Sequence, residues 1–200
     1  ASDVYKRQTQ ICNNLNILDV GCGGGLLCEP LSRLGGNITG IDVSENAIIT
    51  AKQHASKMGL KINYICTSLE ELNLKKDFDL IIASEVIEHV LDRKYFLKMI
   101  RKISSNKTSF IFTTINKSIP SLLFGKCAAE YILNLIPNGT HDWEKFVTPQ
   151  KLYLEALENG IYLNNFSGLT PNVFNKEFNL TSYLGICLLY TSDAADEVDG

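Results

Sequence analysis

The chain has 200 residues, 45% of them hydrophobic and 20% charged, and a formal net charge of −3 at pH 7. These proportions indicate one globular domain with a sizeable core. The weakly acidic balance argues against a nucleic-acid partner, which would require clustered Lys and Arg, and no apolar run is long enough to span a bilayer.

The six cysteines are scattered along the chain and form no CxxC pair. Structural zinc sites and the disulfide frameworks of small secreted domains both use cysteines at closer, recurring spacings. The pattern therefore argues against both kinds of site, and it fits a reducing compartment.

Both ends of the chain differ in character from the middle. Residues 1–8 contain DVYKRQ and residues 187–200 begin with CLLYTS, and both hexapeptides resemble translations of the two strands of one sequencing-library adapter. We interpret both segments as adapter-derived and exclude them from the fold prediction; a disordered native tail is the alternative. Residues 9–186 are then expected to form one domain of a protein that continues beyond both ends.

Apolar runs that predict strands alternate with helical periodicities up to residue 116. In chain order we predict a strand over 15–21, a helix over 27–35, a strand over 37–43, a helix over 44–59 that begins at Ser44, a strand over 62–68, a strand running into a helix over 78–90, a helix over 95–105 and a strand over 109–116.

This alternation predicts the α/β class. Near-continuous apolar strands separated by helices indicate a parallel sheet that is covered on both faces. The predicted order β-α-β-α-β-α-β-α-β is that of a doubly wound, Rossmann-like, mostly parallel sheet, truncated at both ends. In such a sheet, motifs that follow the strands lie together at the carboxyl edge.

The stretch DVGCGGGLL (19–27) places four glycines directly after the first predicted strand. A glycine-rich turn between a strand and a helix can hold a ligand against the helix N-terminus. Dinucleotide sites require G-x-G-x-x-G, and Leu26 stands where its third glycine belongs. Gly21, Gly23 and Gly25 have instead the spacing of S-adenosylmethionine sites, and we expect them to clear a path for the methionine end of that cofactor. A tight turn without a ligand is the alternative.

Four further positions are candidates for cofactor contacts. Asp42 ends the second predicted strand, where a carboxylate can accept both hydroxyls of a ribose; a helix N-terminal acid is the alternative. Asp19, just before the loop, either holds the loop through backbone N–H groups or meets the ammonium of the methionine moiety. Ser68 and Leu69 follow the third strand, where the adenine edge is expected.

Glu85, Glu88 and His89 form an E-x-x-E-H cluster in ASEVIEHV. In a helix the spacing i, i+3, i+4 would place all three side chains on one face. Two carboxylates and an imidazole suit a divalent ion such as Mg²⁺, completed by water and substrate oxygens. A solvated acidic helix face is the alternative, and the spacing alone leaves both open. The cluster follows the fourth strand, which places it at the same edge as the glycine loop.

The motifs LDVGCGGGLL, GIDVS and FDLIIASEVIEHV resemble those of class I S-adenosylmethionine-dependent methyltransferases. The later blocks AAEYILNLIPNGTHDWEKFVTP (128–149) and GLTPNVFNKEFNL (168–180) narrow the resemblance to the ubiquinone-biosynthesis O-methyltransferases, which methylate polyprenyl catechols at two steps. The glycine loop is shared by many methyltransferases, whereas the first of these blocks is far more specific. The resemblance covers about residues 13–186.

The resemblance implies an S-adenosylmethionine-dependent O-methyltransferase that methylates a catechol hydroxyl of a polyprenylated ubiquinone precursor with the help of Mg²⁺. It implies cofactor contacts at Gly21, at Asp42 and near Ser84, and metal ligation by the E-x-x-E-H cluster. His141 is a candidate general base, as is His89 if it does not ligate, although a loop histidine is more often structural. The alternatives are a methyltransferase of another small molecule and a chain that only binds the cofactor.

The apolar segment SIPSLLFGKCAAEYILNLIP (118–137) belongs to residues 117–150, which we predict to be an inserted helical or lid segment. It is either a helix packed on the sheet edge or a lid that receives the prenyl tail or contacts a membrane. The expected partners are a polyprenyl catechol, a membrane surface and a ubiquinone-biosynthesis complex. The expected location is the cytoplasmic side of the inner membrane in a bacterium, or the matrix side of the mitochondrial inner membrane in a eukaryote.

Overall fold

The computed structural model describes residues 11–73, 77–115, 147–172, 177–182 and 187–192. The strands are β1 (Asn16–Val20), β2 (Asn37–Asp42), β3 (Asn63–Cys66), β4 (Leu80–Ser84), β5 (Ser109–Ile115), β6 (Asn165–Asn172), β7 (Glu177–Thr181) and β8 (Cys187–Ser192). The helices are α1 (Cys28–Arg33), α2 (Glu45–Lys57), α3 (Arg93–Lys102) and α4 (Pro149–Glu158).

The strands form one sheet in the order β3-β2-β1-β4-β5-β8-β6-β7. The pairs from β3 through to β5 are parallel. β8 pairs antiparallel with β5 and β6, and β7 pairs antiparallel with β6. The chain winds outward from β1 to β3 and then in the other direction from β4, so that the strand order reverses between β1 and β4. The predicted α/β, doubly wound, mostly parallel sheet is confirmed.

Both faces of the sheet are buried, as the near-continuous apolar strands predict. Alternate residues of β1 belong to two different core clusters: Leu18 and Val20 pack in one, and Ile17 packs in the other. The first cluster includes residues of α3 and α4, and the second includes residues of α1 and α2. We call the two sides of the sheet the α3–α4 face and the α1–α2 face.

Local signals set the ends of the helices. The Ser44 side chain accepts a hydrogen bond from the backbone N–H of Ala47 and so caps α2. Gly59, which has a φ of +67°, follows the end of the same helix. Asp92 caps α3 by accepting from the N–H of Tyr95. The predicted helix over 44–59 is therefore confirmed within a residue or two.

The predicted helix at the end of 78–90 is wrong. After β4 the chain bends, and Glu85 adopts a φ of +55°, which a right-handed helix does not allow. A turn follows, in which the N–H of His89 donates to the carbonyl of Val86 over 2.8 Å. The predicted β-α order also implies a helix between the third and fourth strands. The described residues there contain no helix, and a turn occupies 69–71.

α4, β6 and β7 were not predicted from the sequence. Residues 187–192 were predicted to be adapter-derived, whereas the structure pairs them with β5 and β6 and buries Tyr190 completely. The adapter origin stays a prediction, as do the domain bounds. The segment 118–137 and His141 lie outside the described residues. Within the described parts of the chain, no helix is both long and apolar enough to cross a membrane.

Candidate active site

The carboxyl ends of the parallel strands bring the predicted motifs to one edge of the sheet. The glycine loop follows β1, Asp42 ends β2, and Ser84 ends β4. The strand order reverses between β1 and β4, and ligands of open α/β sheets bind in the crevice at such a switch point. The loop after β1 and the segment after β4 therefore border the candidate site.

The glycine loop is fixed to the end of β2 by backbone hydrogen bonds. The N–H groups of Gly21 and Cys22 both donate to the carbonyl of Ile41, over 2.8 and 2.9 Å. The N–H of Gly23 donates to Oδ2 of Asp42 over 2.9 Å. The loop and the carboxylate expected to hold the ribose are thus one connected unit.

The three glycines of the predicted pattern all require glycine for conformational reasons. The φ angles of Gly21, Gly23 and Gly25 are +71°, +50° and +85°, in the left-handed region that other residues rarely adopt. This part of the loop is a sharply turned backbone, in which each N–H direction is set by these angles.

The lack of a side chain serves different purposes at different glycines of the loop. At Gly21 an added Cβ would overlap Cγ2 of Val86, and at Gly25 it would overlap the hydroxyl of Tyr64. These two glycines make room for the protein itself, because the loop packs against the segment after β4 and against β3. At the other two glycines of the loop, Gly23 and Gly24, an added Cβ would meet no atom within 4 Å. The open space for a cofactor therefore lies at the middle of the loop.

Asp42 is held at both carboxylate oxygens. Oδ1 accepts from the N–H of Ser44 over 2.8 Å, and Oδ2 accepts from the N–H of Gly23 over 2.9 Å. A carboxylate has about four acceptor positions. The group is half-buried and retains capacity to accept two further hydroxyls in a fixed orientation. The bond from Ser44 places the Asp42 carboxylate at the start of α2, and the ribose role stays a prediction.

Asp19 is buried, with 2% of its surface exposed. Its Oδ2 accepts the S–H of Cys28 over 3.2 Å. Burial raises the pKa of Asp19 to about 6, and the Asp42 carboxylate adds to the rise while the bond from Cys28 opposes it. A hydrogen bond with Cys22, burial and the Asp19 carboxylate all raise the pKa of the Cys28 thiol, which therefore stays protonated and can donate.

The two alternatives for Asp19 are not equally supported. The N–H groups of Gly21, Cys22 and Gly23 donate to Ile41 and Asp42, so they do not bind Asp19. Within the described parts of the chain, no Lys, Arg or His forms an ion pair with it. A buried carboxylate without a cation is costly at neutral pH. This environment fits a cationic group supplied by a ligand.

Ser84 belongs to a hydroxyl chain on the α1–α2 face. Its Oγ lies 2.7 Å from Oγ1 of Thr113, which in turn donates to Oε1 of Glu85 over 3.1 Å. Since the single hydroxyl proton of Thr113 goes to Glu85, the Ser84 hydroxyl must donate to Thr113. Ser84 is the last residue of β4, at the edge where the cofactor is expected.

Glu88 lies on the other face. It is buried, with 2% of its surface exposed, and its Oε2 accepts from Oγ1 of Thr114 over 2.9 Å. Successive residues of a strand point to opposite faces, so Thr113 and Thr114 hold Glu85 and Glu88 on opposite sides of β5. His89 is exposed. The three side chains do not converge.

The donor arrangement therefore does not fit the metal site expected of the E-x-x-E-H cluster. Among the residues that the structure describes, no group of three His, Cys, Asp or Glu side chains is placed to hold a metal ion. The expectation relied on a helix over these residues, and the left-handed Glu85 and the turn after it remove the common helical face. We derive no chemical step through a metal.

The remaining predicted positions stay predictions. Ser68 lies at the end of β3, and its Oγ accepts from the N–H of Glu71 over 3.3 Å, while Leu69 is buried. Thr113 and Thr114, which donate hydrogen bonds to Glu85 and Glu88, were not predicted from the sequence. The available signal was the pair of hydroxyl residues that ends the apolar strand SFIFTTI at the carboxyl edge.

Comparison with known proteins identifies the family. A sequence model described as a methyltransferase domain matches residues 18–112. The ubiquinone biosynthesis O-methyltransferase of Pelagibacter ubique is 43% identical over 169 residues, which cover 84% of this chain and 70% of the relative. That of Bradyrhizobium diazoefficiens is 39% identical over 180 residues, 90% of this chain and 71% of the relative. The chain belongs to the ubiquinone biosynthesis O-methyltransferases.

Solved structures agree with this membership at the level of the fold. The magnesium protoporphyrin IX methyltransferase of Synechocystis, solved with bound S-adenosylhomocysteine, superposes with a TM-score of 0.68 at 17% identity, over 96% of this chain and 80% of that one. An S-adenosylmethionine-dependent methyltransferase of Clostridium acetobutylicum gives a TM-score of 0.65 at 14% identity, over 98% and 89%. The prediction of an S-adenosylmethionine-dependent O-methyltransferase with the class I fold is confirmed.

Proposed function

We propose that the protein transfers the methyl group of S-adenosylmethionine to a phenolic hydroxyl of a polyprenylated catechol, a precursor of ubiquinone. The use of S-adenosylmethionine as the methyl donor is inferred from the hydrogen bond that Gly23 donates to Asp42. This bond joins the glycine loop to the carboxylate expected to bind the ribose, at the point where the strand order reverses. The names of the relatives support the pathway, and the sequence block over 128–149 supports the catechol.

The cofactor lies across the loop in this proposal. Its methionine end passes over Gly23 and Gly24, where the backbone leaves open space, and its ribose hydroxyls bind Asp42. The ammonium group pairs with the buried Asp19, which then has the cation that the described residues do not provide. The adenine edge lies near Ser68.

The reaction is an in-line displacement at the sulfonium methyl. A phenolate oxygen attacks, an oxygen–carbon bond forms, and the carbon–sulfur bond breaks to leave a neutral thioether. Because the sulfonium is already an activated donor, the protein mainly contributes alignment and exclusion of water. A base removes the phenolic proton, and the candidates remain His89, which is exposed, and His141, which lies outside the described residues.

Assistance by Mg²⁺ is not part of this mechanism, because Glu85, Glu88 and His89 do not converge. Methyl transfer measured with a chelator, and then with Mg²⁺ restored, decides whether a divalent ion takes part. We further propose that residues 118–137 receive the prenyl chain or rest on a membrane, which their apolar sequence supports.

The proposal is tested by turnover of a short-chain prenyl catechol with S-adenosylmethionine. The matched control substrate is the same compound with both hydroxyls already methylated. We expect one equivalent of S-adenosylhomocysteine per methoxy group formed from the catechol and none from the control. Binding of S-adenosylmethionine without any turnover of the catechol would refute the substrate and leave only the cofactor site.

A further inference from the structure

The carboxylate of Glu88 is only half satisfied. Oε2 accepts from the hydroxyl of Thr114 over 2.9 Å, whereas Oε1 is buried and has no hydrogen-bond partner among the residues that the structure describes. Thr114 is itself fully buried, so its hydroxyl does not exchange this partner for water. Burial of an acceptor without a donor is unfavourable, more so for a charged group. Oε1 is therefore an acceptor for which the described residues supply no donor.

The position of Glu88 indicates which ligand this is. Glu88 lies in the turn after β4, and Val86 of the same segment contacts Gly21 of the glycine loop. The segment that carries Glu88 thus borders the crevice between β1 and β4 on the side opposite the loop. In the proposed function the methyl acceptor enters this crevice, since its oxygen has to approach the sulfonium methyl in line.

The chemistry of Oε1 restricts the ligand further. A carboxylate oxygen fixed through its partner oxygen accepts a hydroxyl donor with a defined geometry. A catechol offers two adjacent hydroxyls, one to be methylated and one free to donate. A metal ion fits less well, because Glu85 lies on the opposite face and His89 is exposed.

We propose that Thr114 is a positioning residue: its hydroxyl fixes Glu88 so that Oε1 accepts a hydrogen bond from a phenolic hydroxyl of the acceptor substrate. The proposal rests on the proposed function, because it requires a catechol acceptor. Thr114 acts through Glu88, and the hydroxyl rather than the shape of its side chain is what matters.

The test compares Thr114→Val, which keeps the shape and loses the hydroxyl, with Thr114→Ser, which keeps the hydroxyl. We expect Thr114→Val to lower kcat/KM for a short-chain prenyl catechol roughly tenfold, as expected for loss of one hydrogen bond to a charged group. Thr114→Ser should stay within about threefold of wild type, and the Kd for S-adenosylmethionine should be unchanged within about twofold in both.

Thr108→Val is the matched control. Thr108 is also buried and donates its hydroxyl to the carbonyl of Phe78 over 2.7 Å, but it precedes β5, at the opposite edge of the sheet. Its loss should lower the urea midpoint without changing kcat/KM. If Thr114→Val does not fold, Thr114→Cys replaces the strong O–H donor by a weak S–H donor, and its kcat/KM should lie below that of Thr114→Ser.

Three results would overturn the proposal. The first is wild-type kcat/KM in Thr114→Val, or in Thr114→Cys where the valine variant does not fold. The second is an equal loss of kcat/KM in Thr108→Val, which would show a general effect of stability. The third is a change confined to the Mg²⁺ concentration that gives half-maximal activity, which would assign Oε1 to a metal. No turnover of the catechol by wild type would refute the proposed function, and the acceptor role of Glu88 with it.

Discussion

Replacement of Asp19 by asparagine should remove a pH dependence from the stability of the protein. Asp19 is buried, and burial raises its pKa from 3.8 to about 6. The folded state therefore holds this proton more tightly than the unfolded chain does. The contribution to stability is fully present below pH 3.8, is lost as the pH rises towards 6, and stays lost above that.

The size of the effect follows from the same two values. One pKa unit is worth about 1.36 kcal/mol, so the ionised Asp19 costs about 3 kcal/mol of folding free energy at pH 7. Asparagine cannot ionise, and its carbonyl oxygen can still accept the S–H of Cys28. The free energy of unfolding of Asp19→Asn minus that of wild type should therefore increase by about 2 kcal/mol between pH 4 and pH 7, because the carboxyl of the unfolded chain is already partly ionised at pH 4.

Urea unfolding of both proteins between pH 4 and pH 8 measures this difference, and effects of other groups cancel in it. Glu70→Gln, at an exposed carboxylate, is the control and should give a flat difference. A flat difference for Asp19→Asn would refute the assignment of a buried, unpaired carboxylate. The same variant should bind S-adenosylmethionine about tenfold more weakly at pH 7 if Asp19 pairs with the ammonium.

Three further changes test the loop and the packing beneath it. Asp42→Ala should weaken the binding of S-adenosylmethionine about a hundredfold or more, as measured by calorimetry, because it removes the ribose acceptor and the acceptor of the Gly23 N–H. Unchanged affinity would contradict the ribose role. Gly25→Ala should lower the free energy of unfolding by about 2 kcal/mol or more, because Gly25 has a φ of +85° and packs against the hydroxyl of Tyr64. Gly24→Ala should leave the free energy of unfolding unchanged in the same urea experiment. Equal effects of the two substitutions would contradict the packing argument. Glu155→Ala breaks the partly buried ion pair with Arg93, whose Nε lies 2.9 Å from Oε2, and should destabilise the fold by about 2 kcal/mol without changing cofactor affinity. A loss of affinity in the folded variant would show that the α3–α4 contact serves the site.

The features predicted correctly are those whose cause lies within a few residues. The first strand, its glycine turn and the following helix are adjacent in sequence, and Ser44 caps α2 through a bond to a residue three positions away. The position of Asp42 beside the glycine loop could be predicted because the carboxyl ends of parallel strands share an edge, whatever the details of the loops.

The features missed depend on contacts between distant residues. Part of the need for glycine at position 25 arises from Tyr64 on β3, which the motif does not contain. The E-x-x-E-H cluster has helical spacing, but the left-handed Glu85 ends that regularity at its first residue. Thr113 and Thr114 separate the two glutamates onto opposite faces, and this separation follows from the pairing of β4 with β5 rather than from any local pattern.

The destination of the methyl group tests the central claim most directly. The protein is incubated with S-adenosylmethionine that carries a deuterated methyl group and with a short-chain prenyl catechol, and the product is analysed by mass spectrometry. We predict a single deuterated methoxy group on the aromatic ring in wild type and none in Asp42→Ala. A deuterated methyl bound to carbon, or no labelled product although wild type binds the cofactor, would contradict the account.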